Sequence, residues 1–216
     1  MDIKKSVILM LMILTANCVE AKNDETFTIQ QGDPLILLQP KKTAILEIDY
    51  SKLMVTDGKN HEDDIDYVTW MKMQDEDDNK WLNDWESKDK EECYKSFRDN
   101  FNKEIDDAIK LTKYGKDYKM VLTMKTINFG SAVKYSIVTG WKKGQAKGGG
   151  ELEVRDLNTD ELLLLIEFND LKGEGSFKQI GRFKGIYENL CEKLNEYLEE
   201  YQKEQKKLAK KNKKKD

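Results

Sequence analysis

The chain has 216 residues, a mass of 25.2 kDa, 36% charged residues and a formal net charge of −4. This length suits one domain with its own hydrophobic core. Three cysteines exclude a disulfide-rich miniprotein, a single histidine argues against a zinc site, and the one strongly apolar run, 7–14, is shorter than the ~20 residues that cross a bilayer.

The first 21 residues have the order of a secretory signal peptide. Lys4 and Lys5 precede the apolar run, and small residues follow it. Two processing alternatives stay open: cleavage that leaves Lys22 as the first residue, and lipidation of Cys18 in a segment that resembles a bacterial lipobox. We therefore expect an exported protein in the periplasm, in the outer membrane or secreted, with membrane contact only through a lipid anchor on Cys18 if that residue is acylated.

Residues 22–42 contain both prolines and predict an N-terminal extended segment, which precedes a single α/β domain over 43–201. Thr43–Asp49 alternates in hydrophobicity and predicts a strand, and a second short extended piece is expected at Tyr50–Val55. From Glu62 to about Leu111 the pattern predicts helix. The clearest part is an apolar stripe with a step of four residues, formed by Cys93, Phe97, Phe101, Ile105 and Ile109.

Several strands are predicted next, and the glycines 148–150 are expected to open a hairpin. The apolar run Leu162–Phe168 predicts a strand that is covered on both faces. The other predicted strands are Lys119–Phe129, Tyr135–Trp141 and Glu151–Leu157. The fold class is therefore α/β (or α+β), with a single mixed β-sheet of about four to six strands and helices packed on it.

A long amphipathic C-terminal helix is predicted to follow Ser176, which with Gln179 forms a capping-box pattern. Its apolar stripe runs from Ile180 to Tyr201. The last segment, 202–216, is a Lys-rich tail with eight lysines and two acidic residues. No aromatic residue follows Tyr201, so the tail lacks the stacking platform of a nucleic-acid-binding surface, and no nucleic-acid partner is expected.

The segment 62–92 is acidic, with 13 acidic residues against four lysines. Within it, Asp75, Asp77, Asn79 and Glu86 stand at four ligand positions of an EF-hand calcium loop. Lys80 stands where the loop needs a glycine. A weak calcium site and a solvated acidic surface are the two alternatives; no other cofactor is expected.

Cys93 and Cys191 lie on predicted apolar helix faces and are expected either to form a disulfide or to be two buried thiols. The only histidine, His61, is not near either in sequence, which argues against a nucleophilic cysteine. We find no catalytic constellation and expect a non-enzymatic protein. The alternative is a glycan- or ligand-binding protein, or a hydrolase, that uses the acidic segment 62–92 and its tryptophans.

The C-terminal half resembles small exported α/β proteins of the Gram-negative bacterial envelope. The residues that carry this resemblance are Asp156, Thr159, Leu162–Phe168, Gly173, Gly175 and Arg182. The chain is more distantly similar to lipoprotein activators of penicillin-binding proteins. The resemblance covers about 43–58 and 119–200 and transfers no catalytic residue. It implies a protein that acts through contacts with an envelope protein or surface.

Overall fold

The computed structural model describes residues 26–56, 64–74, 80–130, 133–136, 140–143, 145–173, 176 and 178–212, without the side chains of 133–136 and 140–143. The predicted signal peptide and Cys18 lie outside the described residues. The described strands are β1 (Phe27–Gly32), β2 (Thr43–Asp49), β3 (Met54–Val55), β4 (Ile65–Asp66), β5 (Lys110–Leu111), β6 (Tyr118–Asn128), β7 (Val133–Ser136), β8 (Gly140–Lys143), β9 (Lys147–Asp156) and β10 (Leu162–Lys172).

Eight of these strands form one mixed sheet, so the expected number of four to six was too low. The order is β1-β10-β9-β6-β2-β5, with β3 beside β6 and β4 beside β3, while β7 and β8 form a separate hairpin. Strand β2 runs parallel to β6 and β5, whereas β6, β9, β10 and β1 are successively antiparallel. The short extended piece predicted near the end of β2 is β3; the strands that were not expected are β4 and β5, of two residues each, and β1, which lies in the segment predicted only as extended.

The described helices lie between β4 and β5 and after β10. They are α1 (Tyr67–Gln74), α2 (Lys80–Asp84), α3 (Lys90–Glu104) and α4 (Gln179–Asn212), and a π-helical turn, Trp85–Asp89, joins α2 to α3. In that turn the Lys90 N–H donates to the Trp85 carbonyl, five residues earlier. The mixed α/β architecture and the long C-terminal helix agree with the sequence analysis.

The helical prediction was wrong at the end of α3. The helix stops at Glu104, Ile105 has an extended backbone, and Asp107 has a positive φ of 54°. Ile109 leaves the helix and donates its N–H to the Leu37 carbonyl. Ile105 and Ile109 are both fully buried, so the four-residue spacing of buried positions continues in a segment that is not helical.

Helices α3 and α4 pack on each other and on one face of the sheet, where Met120, Leu122 and Met124 of β6 are fully buried. On the opposite face, Leu163 and Leu165 are only half-buried. Ion pairs such as Arg155–Glu153 (2.7 Å) lie on the same face. The expected cover on both faces of β10 was therefore wrong, because the helices lie on one side.

The glycines 148–150 lie inside β9 and do not form the expected hairpin turn. A Cβ on Gly150 would lie 2.2 Å from the Thr123 carbonyl oxygen and 2.9 Å from the Phe168 ring. A Cβ on Gly148 would lie 3.0 Å from a methyl carbon of Ile186 on α4. These positions need glycine because neighbouring strands and α4 approach the β9 backbone closely.

Candidate functional site

Helices α1 and α2 present an exposed apolar surface. Val68, Met73 and Trp81 are 40%, 59% and 39% exposed, and they are three of the five large apolar residues that are exposed in the described part of the chain. The other two, Tyr114 and Leu208, lie elsewhere. Val68 lies about 140° around α1 from Met73 and lines a different cleft from Trp81, so we call Met73 and Trp81 alone the α1–α2 surface. Exposed aromatic and methionine side chains are enriched at protein interfaces.

The tryptophans of the acidic segment differ in burial. Trp85 is 3% exposed and belongs to the core, Trp70 is half-buried, and Trp81 packs on Trp70 with their ring centroids 5.9 Å apart. The side chain of Trp141, in β8, lies outside the described residues. Of the three described tryptophans, Trp81 is therefore the one that offers a large exposed ring to a ligand or partner.

An aromatic cluster supports this surface from below. Its centre is Phe183 of α4, whose ring centroid lies 6.0 Å from Tyr50, 5.6 Å from Tyr67 and 5.4 Å from Trp85. Phe129, which follows β6, stacks on Trp70 at 4.8 Å. Edge-to-face and offset contacts between aromatic rings stabilise the packed helices and strands by more than the burial of their apolar area alone. The α1–α2 surface therefore rests on a rigid base.

A hydrogen-bonded pair of tyrosine hydroxyls lies within this base. The Tyr50 and Tyr187 hydroxyl oxygens are 2.7 Å apart, and Tyr187 is fully buried. Burial raises the pKa of both hydroxyls well above the usual value, and each also interacts with the Cys93 thiol. Both side chains are therefore neutral hydrogen-bonding groups at physiological pH.

Arg182 joins three elements where α4 begins. It is 6% exposed, its Nε donates to the Ser176 carbonyl at 2.8 Å, and its Nη1 donates to the Phe129 carbonyl. The guanidinium also lies over the Phe129 ring, and burial lowers its pKa. Arg182, one of the residues that carry the family resemblance, thus links the end of β6 to α4.

The predicted capping box of Ser176 and Gln179 does not form. The Ser176 hydroxyl accepts from the Lys178 N–H, and the Gln179 side chain accepts from the Tyr67 hydroxyl.

Two open clefts flank the aromatic cluster. The first, of about 590 Å³, lies between α2 and the start of α4, and its walls include Trp81, Asp89, Glu92, Gln179 and Ile180. The second, of about 470 Å³, is lined by Tyr50, Val68, Trp85 and Tyr94 among others. The second cleft combines apolar walls with a few polar groups, as ligand sites commonly do, whereas the walls of the first are mostly charged and polar.

Two carboxylates of the first cleft have pKa values shifted in opposite directions. Burial raises the pKa of Asp89, whereas the ion pair with Lys184 at 2.6 Å lowers that of Glu92. Glycoside hydrolysis uses two carboxyl groups that both face the substrate. Because Glu92 is bound to Lys184, these two carboxylates do not form such a pair. No catalytic constellation is found among the residues that the structure describes.

The predicted calcium ligands cannot be compared as a set, because Asp75, Asp77 and Asn79 lie outside the described residues. The carboxylate of Glu86 accepts from Lys90 Nζ at 2.7 Å. Lys80, at the position that requires a sharp turn, begins helix α2. Among the described residues, no group of three or more histidine, cysteine, aspartate and glutamate side chains is arranged to hold a metal ion.

Cys93 and Cys191 are both buried free thiols in the structure, which is the second of the two expected arrangements. Burial raises the pKa of Cys93 to about 12 and that of Cys191 further still. The thiolate is the nucleophilic form of cysteine, and neither residue forms it at physiological pH. Both therefore act as small core residues.

The sequence analysis missed the Tyr50–Tyr187 pair and the α1–α2 surface. The two tyrosines are 137 positions apart, so no local spacing signals their contact. Val68 and Met73 lie in an apolar helix where the sequence pattern does not separate exposed from buried positions. The acidic segments on either side of α1 were a usable signal that this helix lies at the surface.

Comparisons with known proteins find distant structural similarity and no family. No family model and no curated protein matches the chain. Among solved structures, a PelC dodecamer from Paraburkholderia phytofirmans carrying a point substitution is similar at a TM-score of 0.37 and 8% identity, covering 79% of this chain and 96% of that one. A second PelC dodecamer structure from the same organism gives 0.36 and 6%, with the same coverage. Likenesses this distant carry no argument about function.

No helix among the described residues has the length and apolarity to cross a membrane.

Proposed function

We propose that this chain is an exported, non-enzymatic envelope protein that binds a partner protein through the α1–α2 surface. The observation that supports this proposal is the exposure of Met73 and Trp81 on two neighbouring helices, with Trp81 packed on Trp70 and Trp70 stacked on Phe129 of the aromatic cluster. Apolar anchors on a rigid base lose little conformational entropy on binding, and such residues contribute most of the affinity of protein interfaces.

The interior chemistry supports binding over catalysis. The two buried thiols and the Tyr50 and Tyr187 hydroxyls all have raised pKa values, so they neither ionise nor act as nucleophiles near neutral pH. The groups of this region that another molecule can contact are its exposed apolar and acidic side chains.

A photo-crosslinking amino acid at position 73 tests the binding proposal in cells that express the whole chain. We expect an adduct of defined mass with one envelope protein. The matched control places the same amino acid at Tyr114, which is 77% exposed and follows β5, away from α1 and α2. Equal labelling from both positions, or none from position 73, would contradict the proposed binding surface.

Export has its own test, the mass of the mature N-terminus. A chain that begins at Lys22, or one that begins at an acylated Cys18, would support export, and the second would add a membrane anchor. Recovery of an intact Met1 on a cytosolic product would overturn this part of the proposal. The result does not depend on the crosslinking experiment.

Glycan binding is a second candidate, favoured by the first cleft. There the exposed Trp81 ring lies among polar side chains such as Asp84, Lys88 and Lys178. An aromatic ring among hydrogen-bonding side chains suits a sugar ring and its hydroxyls. Calorimetric titration with peptidoglycan-derived saccharides should show saturable binding that Trp81→Ala removes. The absence of binding would exclude this candidate.

A further inference from the structure

We propose that the C-terminal end of helix α4 binds the surface of an anionic phospholipid membrane through one lysine-rich face. This inference goes beyond the proposed function, because it concerns a part of the molecule away from the α1–α2 surface. It adds a second membrane contact to the lipid anchor that the sequence analysis expected at Cys18. The observations that carry it are the projection of α4, the placement of its lysines around the helix and the separation of charge along it.

Helix α4 projects beyond the body of the protein. Its buried positions end at Leu198, and every residue from 206 to 212 is exposed. We call residues 203–212 the C-terminal extension. It is about 15 Å long at ~1.5 Å per residue. No other described element covers residues 206–212, so this part of the extension is accessible to a large partner surface.

The lysines of the extension lie on one face of the helix. Each α-helical residue advances by about 100° around the axis. Relative to Lys203, the other four lysines lie at about −60°, +40°, −20° and +80°, so all five fall within an arc of about 140°. The single glutamate, Glu204, lies at about 100°, outside this arc. The five residues of this lysine face are Lys203, Lys206, Lys207, Lys210 and Lys211.

The charge on this side of α4 changes sign where the extension begins. Four exposed glutamates lie on the same side of the preceding turns, within about 60° of Lys203. They are Glu192, Glu196, Glu199 and Glu200. A helix that is only solvated typically mixes the two signs in pairs one turn apart. Among the described residues, only Lys203 of the lysine face pairs with this acidic region, at 3.2 Å from Glu199.

The remaining lysines are not neutralised by the described part of the chain. Lys207, Lys210 and Lys211 are exposed and form no ion pair with another described residue. The negative end of the helix dipole stabilises lysines in the last turn only, which contains Lys210 and Lys211 but not Lys207. The lysine face is therefore complementary to an extended negative surface.

The composition of the extension favours a lipid surface over a nucleic acid. No arginine follows Arg182, and no aromatic residue follows Tyr201. The extension thus lacks the side chains that bind phosphate in a paired geometry or stack on bases. A cluster of four to eight lysines on a helix is typical of binding to anionic headgroups. Leu208 is 37% exposed and lies about 140° from Lys203, beside the lysine face, where an apolar side chain can enter the membrane interface.

Co-sedimentation of the whole chain with phospholipid vesicles tests the inference. Every version carries Cys18→Ser, which removes the expected lipid anchor. Vesicles of pure phosphatidylcholine measure any contribution of the N-terminal apolar run. We expect additional binding to vesicles that contain phosphatidylglycerol. This binding should be lost at high salt, since the screening length falls from about 10 Å at 0.1 M to about 3 Å at 1 M.

The extension variant replaces three lysines by glutamine, which keeps a high helix propensity. It carries Lys207→Gln, Lys210→Gln and Lys211→Gln. Each lysine near an anionic membrane contributes about fivefold to binding, so this variant should bind phosphatidylglycerol vesicles about a hundredfold more weakly. The matched control removes the same charge at exposed positions outside α4 and should weaken binding less than about fivefold. It carries Lys41→Gln, Lys52→Gln and Lys116→Gln.

Three outcomes would overturn the inference. The first is equal binding of the wild-type chain to both kinds of vesicle, and the second is equal weakening by the two variants. The third is tighter binding to a DNA duplex than to the vesicles at the same salt, with loss of the DNA binding in the extension variant. Circular dichroism checks that both variants are folded. The crosslinking experiment at position 73 is unaffected by these results, so the inference and the proposed function can fail separately.

Discussion

Removal of one hydroxyl from the Tyr50–Tyr187 pair should destabilise the protein measurably. In Tyr187→Phe the half-buried Tyr50 hydroxyl loses its partner at 2.7 Å and keeps only its interaction with the Cys93 thiol. Leaving a buried polar group without its partner costs about 1–2 kcal/mol. For a chain of this size that corresponds to a decrease of roughly 2–8 °C in Tm, at about 2–4 °C per kcal/mol. Tyr50→Phe should give a similar loss.

The double variant tests the physical reason. When both hydroxyls are replaced by hydrogen, neither tyrosine oxygen is left unpaired and only the weakly polar Cys93 thiol loses its contacts, so the double variant should lose little more than either single variant. Urea denaturation followed by tryptophan fluorescence is suitable, because Trp85 lies 4.8 Å from the Tyr50 ring. Tyr114→Phe, at an exposed site, should not change the midpoint. Losses that simply add in the double variant, or no loss in the single variants, would refute the reasoning.

Two other predictions concern titration. The carboxylate of Asp117 accepts from Lys42 Nζ and the Thr43 N–H, both at 2.8 Å, and these contacts lower its pKa. The ionised Asp117 carboxylate stabilises the fold fully above the pKa of the unfolded chain, about 3.9, and this stabilisation is lost as the pH falls through the lower pKa of the folded chain. Asp117→Asn should therefore lower the urea midpoint at pH 7 but not in strong acid. An equal difference at both pH values would contradict this. Because burial raises the thiol pKa values, iodoacetamide near pH 8 should label Cys93 and Cys191 in urea but not in the folded chain, and peptide masses would reveal any labelling of the folded form.

The parts of the fold that the sequence predicted well have long, regular patterns. Helix α4 keeps its apolar stripe from Ile180 to Tyr201, β10 begins with the apolar run Leu162–Ile166, and β6 has buried apolar residues at alternate positions from Met120 to Met124. Patterns of this length hold enough repeats to identify an element. The two-residue strands β3, β4 and β5 have no repeat at all, and their pairing depends on neighbours that are distant in the sequence.

Two errors have a common origin in tertiary contacts. The glycines 148–150 were expected in a turn, yet they are in β9 because Phe168 and Ile186 approach its backbone. Ile105 and Ile109 were expected in a helix, yet they are buried in a loop by contacts such as the one with Leu37. In both cases the local pattern is real, and packing against distant residues decides the structure.

The candidate site was predictable only in its location. The sequence indicated the acidic segment and its tryptophans, and Trp81 does offer an exposed ring. Which tryptophan is exposed depends on the packing of Trp70 on Phe129 and of Trp85 on Phe183, residues that follow much later in the chain. Such long-range pairs leave no trace in local spacing.

The π-helical turn between α2 and α3 determines the rotational phase of the helices on either side of it. A π turn contains one residue more than an α turn, and each helical residue advances by about 100°. If this turn were an α turn with one residue fewer, Trp81 would be rotated by about that angle relative to Cys93 and Phe97. A length change of one residue in this turn would thus redirect the exposed ring while leaving the core composition intact, which makes this site a sensitive point for divergence between related chains.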